Sequence, residues 1–388
     1  MKNLYLFLIC TSALLLTGCW DSNELDDLAI VTAASLDQAE DDQIELSIQV
    51  YNPQVTSTVG AGEGGGGGDS ITKIISAVGD NPADALSKLQ TKVSRRIFLG
   101  QCKVYIFSEE VAKKGVYDHM DMLLRHPFTR ERANLFVSEG DAKRILELDA
   151  YLERYGGETL RKLAELEIGM EITVKELDEM LTSKINEASL PYVIASAATG
   201  EGEGETQASR IFGTAIFKAD KMVGKLTEAE TRGLLWIRDE IRDYTVTIKM
   251  GGGTVSLNPV SARINLRPEI VGGKPKITIE VETEGGILEN SSQFDFSNPK
   301  EVYALEEKYR ERIRERLHST LTRLKEINAD VVGFGESIHR TYPQKWKELE
   351  PRWEEIFPEI DVQLDINAHV RRMGNISNRD YLRKDELN

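Results

Sequence analysis

The chain has 388 residues, enough for two or three domains that each bury a core. Hydrophobic residues make up 40% and charged residues 29%, which excludes a disordered chain. Acidic residues outnumber basic ones by 64 to 48, and the net charge of -16 argues against a dedicated nucleic-acid binder. Three cysteines are too few for a disulfide scaffold.

Residues 1–18 read as an export signal, with Lys2 as its positive start. Residues 4–16 are apolar but too few for a membrane-spanning helix. Leu16-Thr17-Gly18-Cys19 then resembles a bacterial lipobox. The resemblance implies that the Cys19 thiol takes a diacylglyceryl group and that signal peptidase cuts between Gly18 and Cys19. The new amino terminus then carries an N-acyl lipid. The alternative is a plain leader that happens to precede a cysteine. Acyl chains hold a protein on a bilayer at about 0.8 kcal/mol per buried CH₂, so the mature chain is expected to be anchored rather than spanning. Cys10 leaves with the leader. Cys102, beside the apolar run 104–107, is expected to be a buried small hydrophobe.

Residues 28–36 predict a buried strand. Ile44, Leu46, Ile48 and Val50 alternate with polar residues, the period of a half-covered strand that Pro53 ends. Residues 60–68 hold seven glycines in nine positions; lacking the Lys-Ser/Thr pair of a phosphate-binding loop, they predict a flexible loop. Asn81-Pro82 opens a helix expected to run to about Arg96. A strand over 103–107 follows, then a helix capped by Ser108 through Val111, Val116, Met120 and Leu124. Residues 134–137 predict a strand, 141–155 a helix, and Thr173 with Glu176 a capping box. This alternation implies a mixed α/β region over 19–198, with a possible subdomain break near 155–172.

Residues 199–209 are polar with a Gly-Glu repeat, and are expected to form a linker or exposed loop. Beyond them, 211–218 and 222–224 predict a hairpin, and Thr227 with Glu230 caps a short helix. Strands over 244–250, 260–266 and 276–284 are separated by Gly251 to Gly253 and by Gly272-Gly273. Asn298-Pro299 starts the longest helix, with Val302, Leu305, Tyr309, Ile313, Leu317, Leu321, Leu324 and Ile327 on one stripe. Its other face interleaves Arg310, Arg312, Arg314 and Arg316 with glutamates, which predicts a solvated face. A helix over 342–357 and a strand over 360–370 close an α+β region, 210–375. A polar tail, 376–388, follows. The whole is expected to be α+β or mixed α/β and multidomain, the second half an antiparallel-rich sheet packed with long helices.

The motifs of common enzymes are missing. His119, His126, His318, His339 and His369 have no metal-ligand spacing, and no nucleophile elbow or dinucleotide fingerprint occurs. The acidic pairs Asp26-Asp27 and Asp41-Asp42 predict solvated turns, and Trp236, Trp346 and Trp353 predict core positions. No catalytic, cofactor or metal residue is assigned.

Several blocks together resemble the Ger(x)C family, the lipoprotein C subunits of spore germinant receptors. The first is Gly18-Cys19-Trp20-Asp21 with Glu24-Leu25. The second runs from Arg95-Arg96 through Gly100-Gln101 to the stretch from Ser108 to Gly115, then Leu124-Arg125. The third joins residues 213–218 to Gly224-Lys225-Leu226 and to 230–236. The last holds residues 330–335, Trp346, Trp353, Phe357-Pro358, Val370 and Gly374. The glycine run and the Gly-Glu repeat depart from the pattern as loop insertions.

The resemblance implies a non-enzymatic subunit at the outer face of the spore inner membrane. It implies two integral-membrane partners, an A and a B subunit, and leaves germinant contact open. Trp20, Asp21 and Leu25 are either a docking segment or a simple linker. The turn from Asp330 to Gly335 is expected to be structural, its glycines allowing a sharp bend. Two other classes compete: a solute-binding lipoprotein of a transport system, which predicts two similar α/β lobes, and an envelope hydrolase.

Overall fold

In the computed structural model, which describes residues 24–52, 71–148, 150, 152–197, 207–242 and 245–372, the first apolar run becomes β1 (Leu28–Gln38). It lies in a nine-stranded mixed sheet with β2 (Ile44–Tyr51), β3 (Thr72–Gly79), β4 (Arg96–Phe98), β5 (Val104–Ser108), β6 (Asn134–Ser138), β7 (Glu187–Ala197), β8 (Gln207–Lys218) and β9 (Lys221–Thr227). The order is β3-β2-β1-β5-β6-β7-β8-β9, and the short β4 pairs with the start of β1. The centre, β1-β5-β6-β7, is parallel, while β2-β3 and β8-β9 extend it antiparallel.

Helices cover both faces. These are α1 (Pro82–Lys92), α2 (Glu109–Lys114), α3 (Tyr117–Arg125), α4 (Ala142–Glu147), α5 (Gly156–Glu165) and α6 (Val174–Thr182). Alternate residues of β5 therefore join different cores. Tyr105 and Phe107 pack with Val111, Leu123 and Leu177; Val104 and Ile106 pack with Ile145 and Leu160. Double coverage accounts for an unbroken apolar run, because both faces of the strand leave water.

The alternating strand β2 is covered on both faces: its polar Ser47 and Gln49 are buried. Ser47 bonds Ser76 at 2.8 Å, and Gln49 reaches the Leu146 carbonyl and the Gly157 amide at 3.3 Å each. The strands β3 and β7 had no distinct signal. Helix α1 stops at Lys92 rather than Arg96, which enters β4. The helix capped by Ser108 breaks at Gly115, whose φ of 135° no helix accommodates, and resumes as α3. The helix expected over 141–155 ends at Glu147, and α5 occupies part of 155–172.

The glycine run at 60–68 and the tail at 376–388 lie outside the described residues, as does most of the 199–209 segment. Residues 207–209 already belong to β8. β7 and β8 pair from Glu187↔Lys218 to Ala197↔Gln207, so one sheet flanks this segment on both sides.

After the capped helix α7 (Glu228–Ile237), the second sheet contains β10 (Val246–Met250), β11 (Gly253–Val271), β12 (Lys274–Asn290) and β13 (Asp361–Arg372). Gly251, Gly252, Gly272 and Gly273 adopt positive φ in its turns, as hairpin geometry requires. β10-β11-β12 are antiparallel and β13 joins β12 in parallel. Helix α8 (Pro299–Ile327) buries Leu305, Tyr309, Ile313, Leu317, Leu321 and Leu324. Each fully buried apolar side chain of this kind contributes about 1.5–3 kcal/mol relative to exposure. Of the four arginines between residues 310 and 316, Arg312 and Arg314 are exposed as expected. Arg310 instead folds against β13, donating to the Ala368 carbonyl at 3.2 Å, and Arg316 is half-buried.

The helix expected over 342–357 is divided. α9 (Phe334–Thr341), α10 (Pro343–Leu349) and α11 (Trp353–Ile356) are separate segments, with prolines at 343 and 351 marking the starts of new turns.

Candidate functional site at the junction of the sheets

Asp330 follows α8, which is capped by Asn328, a residue that turns the chain with φ 57°. Its carboxylate is fully buried. It accepts the amides of Phe334 at 2.9 Å and Gly335 at 2.7 Å, and the indole N–H of Trp353 at 3.2 Å. These are two of the orphan donors at the start of α9, so Asp330 caps that helix from inside the core. The Asp330 amide in turn donates to Glu187 at the start of β7, tying the second region to the nine-stranded sheet across 143 positions.

Both carboxyls titrate high. Burial raises Asp330 to about 7 against the pull of its N–H donors. Burial, reinforced by the charge of Asp330, raises Glu187 to about 8. Gly333 takes φ 80°, which permits the bend. Gly335 has a different reason. A Cβ there would meet Ile185 Cδ1 at 2.2 Å and Trp346 Cη2 at 2.7 Å, so glycine is required by close packing rather than by the turn.

Trp346 and Trp353 meet edge to face at 5.1 Å, and Phe357 tilts against Trp353 at 6.3 Å, around this knot. They are core residues, as is Trp236. A groove of about 400 Å³ runs along the junction beside Ile172, Met180, Ile185, Glu187 and residues 330–333. Lys218 pairs with Glu354 at 2.9 Å across the same boundary. Thr320 of α8 donates to the Glu230 carbonyl of α7 at 2.9 Å, where Gly233 gives α8 room to approach.

A second cluster sits at the opposite, carboxyl end of the parallel strands. The Tyr192 hydroxyl donates to Glu109 and accepts from Lys225 Nζ at 3.1 Å. Burial raises the Glu109 carboxyl, but Lys113 and Tyr192 outweigh it and hold the group low. Nearby, Asp37 accepts the amides of Ala142 and Lys143 at 2.5 and 2.9 Å, and burial raises it to about 6. The arrangement brings Glu109 and Lys225, from two separate sequence blocks, within reach of one hydroxyl. The sequence held no direct signal for Glu187 or Tyr192.

The expected site residues distribute as follows. Gly18, Cys19, Trp20 and Asp21 lie outside the described residues. Leu25 is 73% exposed in a short helical turn that includes Asp26 and Asp27. Cys102 is wholly buried, and burial pushes its thiol up to about 12, which makes it inert at neutral pH. Among the described residues, no three histidine, cysteine or acidic side chains gather as a metal site, and no helix is long and apolar enough to cross a membrane.

A mixed α/β region hooked by a buried carboxylate to a curled, mostly antiparallel sheet defines a two-region binding or assembly body. Two family models match in order. One, for the spore germination protein N-terminal domain, matches residues 21–195; the other, "Spore germination B3/GerAC like, C-terminal", matches 212–374. The chain belongs to this Ger(x)C family of spore germination proteins. It is 29% identical to the putative spore germination protein YfkR of Bacillus subtilis over 92% of each chain. It is 28% identical to that organism's spore germination protein KC over 96% of each. The crystal structure of the GerBC protein shares the fold, with a TM-score of 0.57 at 19% identity, covering 90% of this chain and 99% of that one. As a member of the family, the chain is a non-enzymatic C subunit of a spore germinant receptor.

Proposed function

We propose that the chain works as a lipid-anchored receptor subunit, cut before Cys19 and held there by its thiol-linked diacylglycerol and N-acyl chains. The leader, 1–18, is removed, and the units 19–198 and 210–375 form the body on either side of the 199–209 segment. The body stands at the outer face of the spore inner membrane and acts with integral-membrane A and B subunits. Anchoring confines it to the surface that holds those partners and so raises its effective concentration near them.

The observation that carries this reading is the ordered family match, which starts two residues after the lipobox cysteine and runs to residue 374. The unlike architectures of the two regions support it over a solute-binding lipoprotein, which needs two similar lobes around a cleft.

The test is germination of spores lacking this gene, scored as dipicolinate release across a nutrient panel, with wild-type and Cys19→Ala complementation. The expected result is a loss confined to one class of nutrient, restored by wild type and poorly by Cys19→Ala. A normal response to every nutrient, in a strain with no other receptor of this type, would reject the reading.

A further inference from the structure

We propose that the part of the amino-terminal end of the parallel strands formed by the loops before β4, β5 and β6 is a membrane-facing surface that rests on anionic phospholipid headgroups. The proposal takes from the anchored reading only which end of the body faces the bilayer. Nine residue steps separate Cys19 from Leu28, so even an extended chain spans at most about 30 Å. Because β1, β4, β5 and β6 run parallel, the loops that precede them gather at this same end.

Those loops are basic in a chain whose net charge is -16. Residues 92–108 contain Lys92, Arg95, Arg96 and Lys103 and no acid. Residues 125–132 add Arg125, Arg130 and Arg132 against Glu131 alone. Arg96, Lys103, Arg130 and Arg132 are exposed. Among the ion pairs of the described residues, none involves these four. Lys103, Arg130 and Arg132 border a groove of about 720 Å³, together with Arg161, which Glu158 and Glu165 already hold, and the acids Glu131 and Glu171. Glu24, Asp26 and Asp27 before β1, Glu165 and Glu171 on the groove, and Asp121, which pairs with Arg125 at 2.6 Å, offset much of this charge, so the basic excess is confined to Arg96, Lys103, Arg130 and Arg132.

An aromatic stands beside the charges. Phe128 is 44% exposed and is braced by the Phe98 ring at 5.7 Å and the His126 ring at 6.0 Å. Gly100 makes this possible, since a Cβ there would lie 2.3 Å from the Phe98 ring. Leu124, 41% exposed, ends α3 at the same edge. Basic side chains flanking a fixed, half-exposed aromatic suit a headgroup layer, where the cations meet phosphates and the ring enters the acyl boundary.

The test uses the unlipidated chain from residue 19 with Cys19→Ser, which retains every described residue and removes the anchor. Co-sedimentation is measured with phosphatidylglycerol–phosphatidylcholine vesicles and with pure phosphatidylcholine. Wild type is expected to bind only the anionic vesicles, and less as salt rises. R130E/R132E is expected to lose about 25-fold in partitioning, about fivefold for each basic residue removed from an anionic surface. K249E/K274E, an equal charge change on exposed lysines of the second sheet, is expected to bind as wild type. In a separate variant, Phe128→Trp, tryptophan emission is expected to shift to the blue on anionic vesicles, a readout that does not depend on the folding of the arginine variant. Binding without headgroup preference, no binding by wild type, equal binding by R130E/R132E, or an unshifted Phe128→Trp in bound protein would each overturn the proposal. Whether Cys19 carries lipid is read separately, by mass, so failure of the anchor and failure of this surface are distinguishable.

Discussion

The nine-stranded sheet is covered by helices on both faces, whereas the four-stranded sheet packs against α8 and α9 and leaves much of β11 exposed. The strands record the difference. β5 is buried at every position from Val104 to Ser108. β11 buries Val255 and Leu257 near its start, then alternates, with Arg263, Asn265, Arg267 and Glu269 exposed between half-buried apolar residues. The first region therefore meets its surroundings mainly at the ends of its strands, while the second offers a sheet face. The buried carboxylate knot at Asp330 joins two bodies that differ in this way. Its donors, Phe334, Gly335 and Trp353, all belong to the second region, and its link to Glu187 belongs to the first.

Breaking that knot is expected to have the largest effect. Asp330→Ala strands three buried donors and is expected to cost about 3 kcal/mol or more in urea unfolding, given roughly 1–3 kcal/mol for each unsatisfied buried group. The loss is expected to be sensed by the tryptophan emission of Trp346 and Trp353. Gly335→Ala comes next. Its Cβ would collide with Ile185 and Trp346, and overpacking of this kind costs about 1–3 kcal/mol. Gly252→Ala meets nothing within 4 Å, and its cost comes from its φ of 73° alone, about 1 kcal/mol. If the two variants proved equally costly, the packing argument for Gly335 would fail.

The junction and the first region also differ in the pH range over which buried carboxyls act on stability. A carboxyl whose folded pKa is raised stays protonated in the folded chain after it has ionised in the unfolded one. The folded state then binds more protons, and stability falls as pH rises through that window. For Asp330 the window runs from 3.8 to about 7, and for Glu187 from 4.5 to about 8. For Asp37, in the first region, it runs from 3.8 to about 6. Unfolding midpoints measured between pH 4 and 8 are expected to fall. Glu187→Gln, which still accepts the Asp330 amide, is expected to flatten the slope above pH 6, and Asp37→Asn the slope below it. The smallest effect is at Cys102: in native Cys19→Ala protein it is expected to resist a thiol reagent and to react only on unfolding.

Much of the fold was legible wherever local chemistry decides it. The capping boxes at Thr173/Glu176 and Thr227/Glu230 form with both reciprocal bonds. The Asn-Pro starts at 81 and 298 cap their helices, and the apolar stripe of α8 is its buried face. Elements whose placement depends on distant partners were not legible. β3 has an irregular burial pattern, and β7 carries Pro191 in mid-strand, which ordinarily speaks against a strand. Gly115 and Pro351 divide helices that periodicity alone runs together. At the junction, the bend at residues 330–335 was readable from Gly333, whereas Gly335 is set by packing against Ile185 and Trp346. The role of Asp330 was not, because its partners Trp353 and Glu187 are 23 and 143 positions away.

A receptor subunit held at a membrane through Cys19 must carry its lipid on that residue. The most direct measurement is the intact mass and amino-terminal fragment of the protein recovered from spore inner membranes. The expected result is a chain beginning at Cys19 with a diacylglyceryl thioether and an N-acyl group, and its absence from that fraction in Cys19→Ala spores. An unmodified Cys19, an uncut leader, or unchanged membrane recovery of Cys19→Ala would contradict it.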